Sequence, residues 1–129
     1  MTDTEILTLV DRLERCLLAN QEFHHKDHLT VAVVYLYSAD VADATDKMRA
    51  SLSRFAAHLN VSLYHETMTR FWIRMAEKHI DRCRPLAESV ERVHHALNDK
   101  NLVHQFYSRE WLGSPEARTG WVEPDLQEI

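Results

Sequence analysis

His24, His25 and His28 put three imidazoles within five positions, directly ahead of the apolar run from Leu29 to Tyr37. On a helix that begins near Phe23 or His24, His25 and His28 stand three apart, with Ala32 on the same face and small enough to leave room. His24 and His28, four apart, form the competing pair. Either spacing aims two rings at one ion. A second stretch, Tyr64-His65-Glu66-Thr67-Met68-Thr69, opens another apolar helix. Two imidazoles from one helix and one from another, with coordination positions left open, make the donor set of a catalytic transition metal. The expectation is therefore that His25, His28 and His65 bind a divalent iron or zinc ion, with Glu66 as fourth ligand or acid/base. Asp27, Glu22, Thr67 and Thr69 stand close enough in sequence to orient the ligands. Zinc in such a site would activate water, and iron would support oxygen chemistry.

Blander readings compete. Histidine is abundant, with nine in 129 residues, so a solvated run near a helix start needs no function, and His65 can cap or hydrogen-bond within a core. Glu22-x-x-His25 and Glu91-x-x-His94 have the spacing used in di-iron carboxylate bundles, but Glu91 falls on the polar side of its helix. His58, His79, His95 and His104 read as surface or satisfied core histidines. Met68, Trp72 and Met75 read as core packing. Arg118, among Trp111, Trp121 and Pro124, either holds an anionic ligand or pairs with Glu123 or Asp125 to fasten the tail. No glycine-rich phosphate loop is present, and no serine has the strained-turn context of a nucleophile.

The elements that must position these residues read as helices. Ile6, Leu9, Val10, Leu13, Cys16 and Leu17 recur at helical spacing over residues 4–19, with Thr2, Asp3 or Thr4 as cap. Residues 29–37 are rich in β-branched and aromatic side chains, which suits a strand. A lone strand has no partner for its ladder, however, so a central helix that is apolar nearly all round is expected, with Asp27 in its first turn. A third helix runs from Asp40 to Asn60, with Val41, Ala44, Met48, Leu52, Phe55, Ala56 and Leu59 on one stripe. A fourth covers 63–83, capped by Ser62, with His65, Met68, Trp72, Met75, Ala76 and His79 on one face, until Arg84-Pro85 breaks it. Leu86, Val90, Val93 and Leu97 mark a fifth, ending near Asp99. In the last thirty residues, Ser108 and Ser114-Pro115 look like caps of short helices, with Gly113 and Gly120 as their C′ residues. Phe106, Tyr107, Trp111, Trp121 and Leu126 are too many anchors for a disordered tail.

The expected fold is all-α: one domain over 1–129, with a four- to five-helix bundle in 1–99 and an irregular C-terminal segment, 100–129, wrapping onto it. Apolar content of 45% and charged content of 27% are ordinary for a globular chain. Only two glycines and three prolines are present, which favours long helices. A net charge of −5 with interspersed signs gives no footprint for nucleic acid and no polybasic membrane patch. No run has the length of a membrane span. The acidic N-terminus lacks the apolar core of a signal peptide. Cys16 and Cys83 are isolated, so a reducing cytoplasm is the expected location.

The patterns Phe23-His24-His25-Lys26-Asp27-His28-Leu29, Tyr64-His65-Glu66-Thr67-Met68-Thr69, Tyr107-Ser108, Ala117-Arg118 and Glu123-Pro124-Asp125 resemble a family of small uncharacterised bacterial proteins. Its signature is F-x-H-x-x-H-L, then Y-H-E-T-x-T, then Y-S, A-R and E-P-D. The resemblance covers most of the chain from residue 22 onward and implies no particular reaction, but it favours His25 over His24 as the first histidine of the F-x-H-x-x-H pattern. The leading expectation is a small metal-dependent enzyme acting on a small molecule. The rivals are a non-enzymatic helical binding module, such as a homodimer through its Tyr35/Tyr37 face, and a metal-free pocket in which the histidines and Arg118 bind an anionic metabolite.

Overall fold

A computed structural model describes all 129 residues and contains helices but no strands. Five helices exceed ten residues: α1 (Asp3–Glu14), α2 (His25–Ser38), α3 (Val41–His58), α4 (Glu66–Glu77) and α5 (Leu86–Ala96). Two single-turn helices, α6 (Arg109–Leu112) and α7 (Pro115–Thr119), follow a 3₁₀ segment at Lys100–Gln105.

The helix starts follow capping chemistry. Thr2 accepts from the Glu5 amide while Glu5 reaches back to the Thr2 amide. Asp40, Ser108 and Ser114 accept from the amides three residues on. The Asp27 carboxylate takes the His24 amide at 2.9 Å, so α2 begins at His25 with His24 just outside. The first helix is shorter than the expected 4–19. Cys16 turns left-handed at φ 56 and the Leu17 amide reaches back to Arg12 O, a five-residue closure that ends α1. Asn60, also at φ 56, closes α3 in the same way, with the Val61 amide on Ala56 O. The expected stop at Asn60 has this cause. Gly113 and Gly120 follow α6 and α7 directly but at φ −81 and −156, so neither uses left-handed backbone.

The fourth helix departs most from its expected span of 63–83. It starts at Glu66 because His65, not Ser62, is its cap, and it stops at Glu77. Beyond it, the turn before α5 is gathered around Tyr37, whose hydroxyl lies 2.7 Å from Asp81 O and from Ser89 Oγ. Arg82 Nε closes Leu36 O near the end of α2.

α2 is the central element. Leu29, Thr30, Val31, Ala32, Val33, Tyr35 and Leu36 are buried on every side of it, and α1, α3, α4 and α5 all touch it. Surroundings of that kind make an apolar segment helical despite its β-branched content, since burial outweighs propensity differences of about 0.7 kcal/mol per residue or less. Ile6, Leu13, Leu36, Phe71, Ile73, Val93 and Tyr107 belong to one continuous cluster of 24 buried residues. Tyr35 and Tyr37 do not form a free face: Tyr35 is buried, its hydroxyl 2.7 Å from Ser51 Oγ and 2.8 Å from Glu14.

The C-terminal segment is joined to α4 by specific bonds. Thr67 Oγ1 donates to Gly120 O and accepts from the Val122 amide. Tyr107 Oη donates to Val122 O, and the Leu126 amide to Phe106 O. Trp111 Nε1 donates to Glu123 O. Asp125 takes both the amide and the hydroxyl of Ser108, which hold its carboxyl below the usual range. Arg118 pairs with neither Glu123 nor Asp125, so the expected ion-pair fastening is replaced by these bonds. No helix is long and apolar enough to cross a membrane.

Candidate functional site

A half-open cavity of about 410 Å³ lies between α2, α3 and α4. Its walls come from the helix stripes seen in the sequence. α2 supplies His25, His28 and Ala32; α3 supplies Met48, Leu52, Phe55 and Ala56; α4 supplies Met68, Thr69, Trp72 and Ile73. The 59–65 connection adds Leu59, Val61, Leu63, Tyr64 and His65, and Asn20, Phe23 and Lys100 complete the rim. The volume falls in the range of roughly 300–1,000 Å³ that holds small organic molecules.

The three histidines singled out by spacing thus line one cavity, but their nitrogens are committed differently. His65 heads α4 with Nδ1 accepting from the Met68 amide at 3.2 Å, while Nε2 stands 2.6 Å from Leu112 O. A carbonyl can only accept, so Nε2 carries the proton and Nδ1 the lone pair that caps the helix. Both ring nitrogens have backbone partners, and burial lowers the pKa of the ring. His25 Nε2 donates to Leu97 O at 2.8 Å, and its ring packs edge-on against Trp72 at 4.5 Å. No protein group bonds to Nδ1 of His25. His24 lies outside this cavity and is exposed.

His28 differs from both. Neither of its nitrogens has a hydrogen-bond partner in the protein. Its ring stacks on Phe23 with centroids 4.2 Å apart and planes tilted by 31°. The ring is half-buried at the cavity wall. Burial, reinforced by the neighbouring His25 and opposed by Asp27, pushes its pKa down to about 4. At neutral pH it is an uncharged imidazole with one donor and one acceptor, neither taken by the protein.

Glu66, expected as ligand or acid/base, is turned away from the cavity. Arg49 clamps it from α3 through Nε and Nη2, at 2.8 and 2.6 Å, and Tyr64 Oη adds 2.6 Å. This clamp outweighs the effect of burial and holds the carboxyl below its usual range, far from the near-neutral pKa of a proton shuttle. Burial, and then the hydrogen bond to the Glu66 carboxylate, push the Tyr64 phenol up to about 12. Arg118 is exposed and does not line the cavity. No group of three or more His, Cys, Asp or Glu side chains is disposed to hold a metal ion. To join the donor set expected for iron or zinc, His65 would have to release both of its backbone partners.

Outside the cavity, His94 Nε2 meets Thr30 Oγ1 at 2.7 Å, and burial lowers its pKa. His58 and His95 are exposed. His104 corrects the expectation of a satisfied core histidine, since its buried Nδ1 has no partner. Trp72 and Met75, read from sequence as core, belong to the buried cluster, with Met68 packed against it, and Trp72 and Met68 also form cavity wall. The stripe His65, Met68, Trp72 was the available signal. Lys100 had none, because its place at the rim depends on where the chain returns after α5. Comparison with protein-family models, with curated proteins and with solved structures gives no match.

Proposed function

We propose that this protein binds a small organic molecule in the cavity between α2, α3 and α4, without a metal, and that His28 recognises the polar group of the ligand. The observation that carries this reading is the partly buried His28 ring, which lines the apolar cavity with neither nitrogen bonded to the protein. A ligand group that bonds to either nitrogen would form a hydrogen bond shielded by the cavity walls, worth about 0.5–1.5 kcal/mol net. Such a pocket, apolar with one convergent polar group, is the usual form of a small-molecule site. The reading takes α1–α5 as a bundle and residues 100–129 as its wrap, supported by the Thr67, Tyr107 and Asp125 bonds. It assigns the protein to the cytoplasm on the basis of two free cysteines.

A metal-dependent enzyme is the second reading, favoured by one observation. His25 donates Nε2–H to a backbone carbonyl, as metal-ligating histidines do. Zinc or iron held by His25 and His28 would still need further donors, with His65 the nearest in kind.

Tag-free protein would be assayed for metal by elemental analysis, and its melting temperature followed with chelator and with a library of small organic fragments. Expected are no stoichiometric metal, a melting temperature indifferent to chelator, and fragments that raise it. Ala56→Trp, which fills the cavity, would abolish the fragment effect. One metal per chain would overturn the first reading in favour of the second. Fragments that act equally on the Ala56→Trp variant would remove the cavity from both.

A further inference from the structure

Resting on the reading of this cavity as a ligand site, we propose that its ligand is an uncharged, flat aromatic molecule bearing a hydroxyl or ring N–H, held between Phe23, Phe55 and Trp72 and hydrogen-bonded to His28.

The shape follows from the walls. Phe23 stands edge-on to Phe55 at 5.6 Å, and Trp72 stands edge-on to His25 at 4.5 Å. Rings thus come from the segment before α2, from α2 itself, from α3 and from α4, with the thioethers of Met48 and Met68 beside them. Aromatic pairs gain more than their buried area through offset and edge contacts, and sulfur favours ring edges. A flat ring draws on all of these; a flexible chain draws on none and loses more freedom on binding.

The polar group follows from the one histidine of the cavity wall with neither nitrogen bonded to the protein. His65 is occupied at both nitrogens, His25 at Nε2, Tyr64 at its hydroxyl by Glu66, and Thr69 by His65 O. His28 remains, with one donor and one acceptor. A hydroxyl complements either of them, and a ring N–H complements the acceptor.

The absence of charge follows from the cations. Lys100 is exposed at the rim and Arg118 lies outside the cavity, so a carboxylate at His28 would be buried without a counter-ion. The His28 ring resists becoming that counter-ion, as its lowered pKa reflects.

The test uses isothermal titration at pH 7.5 with four probes of similar size: p-cresol, toluene, 4-methylbenzoate and 4-methylcyclohexanol. p-Cresol is expected to bind about tenfold more tightly than toluene, the worth of one buried hydrogen bond, and several-fold more tightly than 4-methylcyclohexanol. No heat is expected from 4-methylbenzoate. In His28→Leu, p-cresol should fall to the level of toluene; in His28→Gln, which keeps a donor and an acceptor, part of the preference should return. Circular dichroism of both variants establishes that they fold, and if His28→Leu does not, the His28→Gln ratio decides. Binding of 4-methylbenzoate as tight as that of p-cresol, or a p-cresol preference unchanged by both variants, would overturn the proposal. If fragments of other classes bind but none of the four does, the aromatic assignment fails while the cavity reading stands. If nothing binds, both fail.

Discussion

The imidazole of His65 and the carbonyl of Leu112 meet at 2.6 Å across 47 residues of sequence, while the other ring nitrogen caps α4 through the Met68 amide. One side chain therefore starts a helix and clasps the C-terminal segment to it. His65→Ala should cost about 2–3 kcal/mol, combining a lost cap of about 1 kcal/mol with an unmet carbonyl. His65→Asn should recover only the cap. Urea unfolding monitored by circular dichroism measures both, and a loss under 0.5 kcal/mol for His65→Ala would contradict the clasp.

Stability should fall as pH drops from about 6.5 towards 4. The folded-state pKa of His28 lies at about 4, below the unfolded value near 6.5. Between those values the unfolded chain binds the extra proton, so stability is complete above the unfolded pKa and is lost as pH falls towards the folded one. The shift corresponds to about 3 kcal/mol at most, and His65 and His94, also lowered, act in the same direction. Urea midpoints between pH 4 and 8 should show this slope, and His28→Leu should flatten it.

Arg49 and Glu66 should respond unequally to truncation. Glu66 is 8% exposed and Arg49 40%. Arg49→Met leaves a buried carboxylate with Tyr64 alone, which should cost about 3 kcal/mol and raise the pKa of Glu66. Glu66→Gln leaves an arginine that still reaches Asp46 and water, so about 1–2 kcal/mol is expected. Equal losses in denaturant titrations would argue against this asymmetry.

Thr67→Val removes the hydroxyl that donates to Gly120 O and accepts from the Val122 amide. A loss of about 1–3 kcal/mol is expected, concentrated in the C-terminal segment. Hydrogen exchange should accelerate at Val122 and its neighbours while α2 stays protected. Uniform acceleration would mean the bonds matter globally rather than to the C-terminal segment.

Much of this was legible from residue order. Helical spacing marked α1, α3, α4 and α5, and the same stripes of α3 and α4 became cavity walls because periodicity states which face is buried. The choice of helix over strand for Leu29–Tyr37 rested on the lack of a pairing partner, and burial on all sides is its structural counterpart. Ends were harder: α1 stops at a left-handed Cys16 and α4 starts at a histidine cap, and neither residue type announces such a role.

By itself the sequence determined which segments are helical, which of their faces are apolar, and that His25, His28 and Ala32 share one of those faces, since all three are properties of local spacing. The tertiary structure alone decided what each polar atom is bonded to. Leu97 and Leu112 lie 72 and 47 residues from the histidines whose protons they accept, and Arg49 lies 17 residues from Glu66. A ring nitrogen or carboxylate is free for chemistry only if no such distant group has claimed it, and that depends on how the helices return to one another in space.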